Sequence, residues 1–192
     1  DGTNGYVAVP QALAVVAAAP FTVAATIWQA GAWTGSYPAV ASDGAWLEGD
    51  RWPGFLLRYE KGANRMAGYA GNASESIGGV GASDWSAAGT GRWVNVALAH
   101  DGAQAKLFVD GEFRAAATNA FTAQSQPELW IGRAYVDPAE SHWRGAIDDV
   151  RVFRSALGTN ELVAIDEWIG DADGDGVRNG EEYLRGTHPR QP

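Results

Sequence analysis

The chain has 192 residues, 46% hydrophobic and 19% charged, with nine Trp, six Tyr and six Phe. That composition fits one main hydrophobic core and argues against disorder. A net charge of −9 argues against nucleic acid or an anionic membrane as partner, since both need a basic face. No apolar run approaches the roughly 20 residues of a membrane span, and the absence of cysteine leaves oxygen ligands, with histidine, as the available metal chemistry.

The opening DGTNGYVAVP reads as turn and strand rather than as a signal peptide. From there to about residue 153, short apolar runs alternate with Gly, Asn, Asp and Pro, the pattern of many short strands. Strands are expected at Gly5 to Val9, Phe21 to Trp28, Ala39 to Ser42, Gly54 to Tyr59 and Met66 to Tyr69. The stretch RWVNVALAHDGAQAKLFVDGEFRAAA follows, with Asp101-Gly102 and Asp110-Gly111 nine residues apart. Asp-Gly supplies the positive φ of tight hairpin turns, so three antiparallel strands are expected over Trp93 to Ala99, Ala105 to Val109 and Glu112 to Ala117. Further strands fall at Leu129 to Ile131 and Trp143 to Phe153. About ten strands imply an all-β, two-sheet antiparallel sandwich, because one open sheet of that size would expose a hydrophobic face.

After Phe153 the period changes. In SALGTNELVAIDEWIG, Leu162, Ile165 and Ile169 fall on one helical face, Thr159 can cap the start, and Glu161 suits the first turn, so a helix is expected from Thr159 to about Trp168. A second short helix is expected from Gly180 to Leu184, ending before Gly186 and Pro189. The boundary of the sandwich is set at 1–157, with 158–192 as a helix, loop and tail.

This terminal span is acidic: Glu161, Asp166, Glu167, Asp171, Asp173, Asp175, Glu181 and Glu182 are eight of the 23 carboxylates. Numbered from Asp171, DADGDGVRNGEE places Asp171, Asp173 and Asp175 at positions 1, 3 and 5, Gly176 at 6, the Val177 carbonyl at 7, Asn179 at 9 and Glu182 at 12. Those are the ligand and turn positions of an EF-hand loop of about 12 residues, and Ca2+ is the expected cofactor. A solvated acidic tail needs neither the Gly nor the final Glu. Mutual repulsion among the carboxylates should make cation binding order the segment.

Two resemblances follow. The segment DADGDGVRNGEEYLRGTHP resembles the calcium-binding linker repeats of large secreted bacterial proteins and one half of a dockerin, although a dockerin carries two such loops. Residues 1 to about 165 resemble a laminin G-like, concanavalin A-like jelly roll through DGTNGYVAVP, FTVAATIW, GRWVNVALAHDGAQAKLFVDGE, LWIGRA and WRGAIDDVRVFRSALGTNEL. Members of that family bind glycans or proteins, or accompany secreted enzymes, and many hold a structural calcium ion near their terminal strands. The resemblance implies a second calcium site at Asp1 and Asp148, with Asn4 and Asp149.

No catalytic motif is present. The nearest approach to the E-x-D-x-x-E strand of glycosidases sharing this fold is EGDRWP, where Pro53 stands in place of the last Glu. His100, His142 and His188 form no H-E-x-x-H and are read as surface or turn residues. Trp28, Trp93 and Trp143 fit strand interiors and Trp168 the helix, while Trp130 fits either role. Trp33, Tyr37, Trp46, Trp52, Trp85 and Tyr135 lie in Gly- and Pro-rich loops, where rings can stack on sugars beside Asp43, Glu48, Asp50, Arg51 and Asp84. The expectation is a non-catalytic, calcium-stabilised carbohydrate-binding module of a secreted multidomain protein, its partners a polysaccharide or glycan and neighbouring domains. A structural or adhesive module is the alternative, and a glycan-active enzyme the third.

Overall fold

The computed structural model describes residues 5–10, 19–32, 35–44, 53–71, 78–82, 91–122, 128–135, 139–165, 171, 174–179 and 181. Among the described residues the eleven strands are β1 (Val7–Pro10), β2 (Phe21–Gln29), β3 (Ala39–Ser42), β4 (Gly54–Glu60), β5 (Arg65–Gly71), β6 (Gly78–Ala82), β7 (Trp93–His100), β8 (Gln104–Val109), β9 (Glu112–Thr118), β10 (Glu128–Ile131) and β11 (Gly145–Phe153). They form a six-stranded sheet, ordered β1-β10-β3-β4-β5-β6, and a five-stranded sheet, ordered β11-β2-β7-β8-β9. All the pairings are antiparallel.

The core lies between the sheets because alternate residues of each strand turn inward. Phe21, Val23, Ala25 and Ile27 of β2, Val94, Val96 and Leu98 of β7, and Leu107 and Val109 of β8 meet Phe55, Leu57 and Tyr59 of β4 and Met66 of β5. Gly68 lets the sheets close at one point: a Cβ there would stand 2.6 Å from Leu98 Cδ1.

The β7-β8-β9 meander forms as expected, but its two turns differ. Asp110 and Gly111 both take positive φ, at 52° and 72°, whereas in the first pair Gly102 alone does. Asp101 instead caps its turn with its carboxylate, which accepts from the Ala103 and Gln104 amides and from Lys106 Nζ. Lys106 first, then those two amides, hold its carboxyl well below the usual carboxylate range.

Four differences from the expectations follow, the first an additional strand. The strand β6 has the sequence GGVGA, which carries little β-propensity, and it forms because β5 offers it a ladder. The last strand begins at Gly145, while Trp143 is a core residue before it. His100 is fully buried: its ring stacks on Phe21, its Nδ1 accepts from the Gly102 amide, and its Nε2 lies 3.2 Å from the Asn119 carbonyl. His142 is 8% exposed and is likewise no surface residue.

The fourth correction concerns the helix start. In α1 (Thr159–Ile165) the Leu162 amide donates to the Gly158 carbonyl, and Glu161 reaches back to accept from the Gly158 amide. Gly158 is therefore the cap, and Thr159 already lies in the first turn. The helix buries Leu162 against Ala24, Ala97, Ala99 and Phe108 on the outer face of the five-stranded sheet. The stretch expected to continue it to Trp168, and most of the expected second helix, lie outside the described residues. No described helix is long and apolar enough to cross a membrane.

Candidate functional site

The outer face of the six-stranded sheet carries two aromatic and cationic clusters. The first is built on the β4-β5 hairpin. Along β4, Phe55, Leu57 and Tyr59 face the core, so Leu56, Arg58 and Glu60 face outward. The register sets Glu60 opposite Arg65 and Leu56 opposite Tyr69, which brings four polar side chains together.

Glu60, 7% exposed, is the hub. Its Oε1 accepts from Arg58 Nη2 at 2.8 Å and from the Tyr69 hydroxyl, and its Oε2 accepts from Arg65 Nε at 2.7 Å. Burial pushes its carboxyl up, but the bonds from Tyr69, Arg58 and Arg65 outweigh that and hold it below the usual range. Burial and the bond to Glu60 push the Tyr69 hydroxyl up, so it stays protonated.

The Arg58 guanidinium lies against two rings, 4.4 Å from the centroid of Tyr37 and 4.7 Å from that of Tyr69. This is the geometry of cation-π attraction. Tyr37 is delivered by the loop before β3, which is tied down on both sides. The Tyr37 amide donates to the Glu140 carbonyl, Ser36 N donates to Glu140 Oε2 at 3.1 Å, and the Tyr59 and Lys61 amides donate to Pro38 and Ser36. A cavity of about 590 Å³ opens between this loop and the hairpin turn, lined by Ser36, Tyr37, Arg58, Glu60, Lys61, Gly62 and Ala63.

The second cluster sits at the other end of one lateral row, Trp130, Ser42, Leu56 and Tyr69, which successive strand pairings place on one face. Three strand spacings separate its ends, about 14 Å. Trp130 stacks on Tyr135 at 3.7 Å and tilts against Tyr6, with the Arg133 guanidinium over both Trp130 and Tyr6. The Tyr135 hydroxyl donates to the Glu128 carbonyl and Trp130 Nε1 to the Glu128 carboxylate. Burial, then the charges of Glu128 and Asp43, push the Tyr135 hydroxyl up. Tyr135 therefore belongs with Trp130 rather than with Tyr37.

Of the loop aromatics chosen from the sequence, the structure brings Tyr37 into the cavity and Tyr135 into the second cluster. Trp33, Trp46, Trp52 and Trp85 lie outside the described residues. The sequence reading missed Arg58, Glu60, Lys61, Arg65 and Tyr69. Their signal was present in FLLRYEKGANR, where an apolar face alternates with a charged one and the turn folds Arg65 back onto Glu60.

The acidic loop is described only in part. The Asp171 carboxylate accepts from the amides of Gly174 and Gly176, whose φ values are +77° and +89°, and Asp175 Oδ1 accepts from Val177 N. Asn179 is 7% exposed. Asp173 and Glu182 lie outside the described residues, and among those described no group of three or more metal-ligating side chains forms. At the other expected calcium position, Asp148 and Asp149 mark a bulge in β11, where Asp149 takes a φ of 50°. Asp149 Oδ1 accepts from Arg151 Nε at 2.7 Å and Asp148 Oδ1 from the Asp149 amide. Asp149 is thus ion-paired with Arg151, and Asp1 and Asn4 lie outside the described residues.

Two antiparallel sheets in this order define a jelly-roll β-sandwich. The chain belongs to the concanavalin A-like lectin/glucanases superfamily, whose laminin G model matches residues 1–163. Among curated proteins no sequence matches. Among solved structures, the chain is similar to the CBM40 of the Ruminococcus gnavus IT-sialidase bound to α2,6 sialyllactose, with a TM-score of 0.63 and 20% identity over 84% of this chain and 94% of that one. It is similar to domains LG4-5 of the mouse laminin α1 chain, with a TM-score of 0.58 and 16% identity over 82% of this chain and 41% of that one. A heptameric SAP-like pentraxin of Limulus polyphemus gives a TM-score of 0.56 and 14% identity over 89% of this chain and 76% of that one. At these identities the likeness is one of fold.

Proposed function

We propose that the protein is a non-catalytic carbohydrate-binding module acting outside the cell, and that its glycan enters the cavity between residues 35–37 and the β4-β5 hairpin. The observation that carries this reading is the Tyr37, Arg58 and Tyr69 stack held in place by Glu60. It offers an amphipathic ring beside fixed donors, the combination that sugars recognise through their apolar faces and hydroxyls. The superfamily and the carbohydrate-binding module among its structural neighbours support it. Glu60 serves here as an anchor: both of its oxygens are taken by neighbouring side chains, which leaves it unsuited to proton transfer.

A glycan array and an insoluble-polysaccharide pull-down test the reading. Tyr37→Ala should weaken binding about tenfold or more while leaving the fold intact, because Tyr37 is 37% exposed and supplies one of the rings beside Arg58. Silence of the folded wild-type protein across the panel would turn the assignment to a structural or adhesive module.

Calcium is the proposed cofactor, held by Asp171, Asp173, Asp175, the Val177 carbonyl, Asn179 and Glu182. All are hard oxygen donors, and positive φ at Gly176 supplies the turn that such a loop needs at its sixth position. When bound, the ion would neutralise the carboxylates and order the tail, a stapling role between this sandwich and a following domain. Titration calorimetry should give a dissociation constant on the order of 0.1 to 1 mM. The Asp171→Ala, Glu182→Ala double variant should lose one site, and an unchanged stoichiometry would overturn the assignment.

A further inference from the structure

We infer that Arg133, held against Tyr6 and Trp130, receives the oxyanion group of a ligand, a carboxylate, sulfate or phosphate, at a second site that is independent of the cavity. One arrangement occurs twice on the outer face of the six-stranded sheet, a guanidinium lying against two rings. Arg58 stands 4.4 Å and 4.7 Å from the centroids of Tyr37 and Tyr69, and Arg133 stands 5.0 Å and 4.9 Å from those of Tyr6 and Trp130. In the first cluster the chain itself supplies the counter-charge, since Arg58 Nη2 donates to Glu60 Oε1 at 2.8 Å. In the second, the Arg133 guanidinium makes no ion pair or hydrogen bond with any described residue, and its Nε is buried without a partner. Glu128 lies beside Trp130, but its Oε2 accepts from the indole Nε1 at 3.0 Å rather than from Arg133.

A second unbonded group stands next to it. The Trp143 amide donates to the Gly132 carbonyl and the Ala134 amide to Ser141 Oγ, so the chain folds back on itself and sets His142 opposite Arg133. His142 is 8% exposed, and neither of its ring nitrogens has a hydrogen-bond partner among the described residues. Burial, then the charge of Arg133, hold its ring below the ordinary value, so it is neutral at pH 7 and offers one N–H donor. Buried polar atoms in native proteins are almost always bonded, and three orphaned nitrogens at one spot point to a polar group that binds there. An oxyanion fits this donor set. Its oxygens match the planar fork of a guanidinium, and the resulting charge-assisted bonds are roughly twice as strong as neutral ones. The rings of Tyr6 and Trp130 order that fork before a ligand arrives, so little entropy is lost on binding. Tyr6, 42% exposed, leaves part of its ring at the rim, where the body of such a ligand can rest.

The test is titration of the full, isotopically labelled chain with sodium acetate, sulfate and phosphate, with sodium chloride at equal ionic strength as the reference. The readouts are the resonances of the Arg133 Nε–H, the Trp130 indole N–H and the His142 ring. At least one oxyanion should give saturable shifts at these groups with a midpoint of about 10 mM or lower, and the order of the three identifies the group the site takes. Arg133→Lys keeps a cation against the rings but loses the planar fork, and should weaken binding about tenfold. Arg133→Met keeps only the aliphatic stem and should abolish it; Arg133→Lys carries the test if Arg133→Met does not fold. Shifts that chloride reproduces, shifts that rise without saturating, or an affinity unchanged in either folded variant would overturn the inference. The glycan reading of the cavity is tested separately by the array and stands or falls on its own.

Discussion

Glu60→Ala should destabilise the sandwich by about 3 kcal/mol and remove glycan binding, the largest combined effect expected of any single change at the site. Glu60 sits under the outer face with 10% of its side chain exposed, and Arg58 with 13%. Removing the carboxylate leaves the Arg58 guanidinium in a low-dielectric site without its counter-charge, and it frees the Tyr69 hydroxyl. The partner Arg65 has 39% of its side chain exposed and regains water, so that half of the network contributes little. Urea titration should show a lower midpoint with an unchanged slope.

The acid limb supplies a second readout. The folded carboxyl lies below its ordinary value, so the stabilisation it gives is present above about pH 4.3 and is lost as pH falls through the lower folded value. The stability gap between wild type and Glu60→Ala should therefore narrow below pH 4. A gap independent of pH, or a loss under about 1 kcal/mol at neutral pH, would show that the network is not a buried ion pair in effect.

Gly35→Ala should abolish binding with a stability loss of only about 1 to 3 kcal/mol, because one methyl group is enough to pry the Tyr37 loop from its support. A Cβ at position 35 would stand 2.1 Å from the Glu140 carbonyl oxygen and 2.6 Å from its carbon. Those are backbone atoms, so no rotamer change relieves the clash. The Tyr37 amide and Ser36 both depend on Glu140, and displacement of either strand of this contact withdraws the Tyr37 ring from Arg58. The sheet itself is remote from the clash. Wild-type circular dichroism with lost affinity is the expected result, and wild-type affinity would mean that residues 35–37 do not form the binding wall.

How much of this was legible in the sequence follows from what each feature depends on. The meander was visible because Asp110-Gly111 writes its own turn, and β2, β4 and β7 because alternation or a continuous apolar run marks a strand locally. The strand β6 was not, since GGVGA becomes a strand only through β5. His100 looked like a turn residue because its partners, Phe21 and Asn119, come from distant parts of the chain. The site failed for a different reason. Attention went to aromatics in Gly- and Pro-rich loops, which found Tyr37, whereas Arg58, Glu60 and Tyr69 stand inside strands and meet only once the β4-β5 register is known. The alternation of Arg58 and Glu60 with Leu57 and Tyr59 was the available clue, and it is a clue about faces rather than about loops.

The most direct test of the proposed glycan site is amide chemical-shift mapping of the isotopically labelled chain with the tightest sugar from the array. Shifts concentrated at residues 35–37, 58–65 and 69 are predicted. Shifts that spare those residues and gather at Trp130 and Tyr135, or on the five-stranded sheet, would contradict the account.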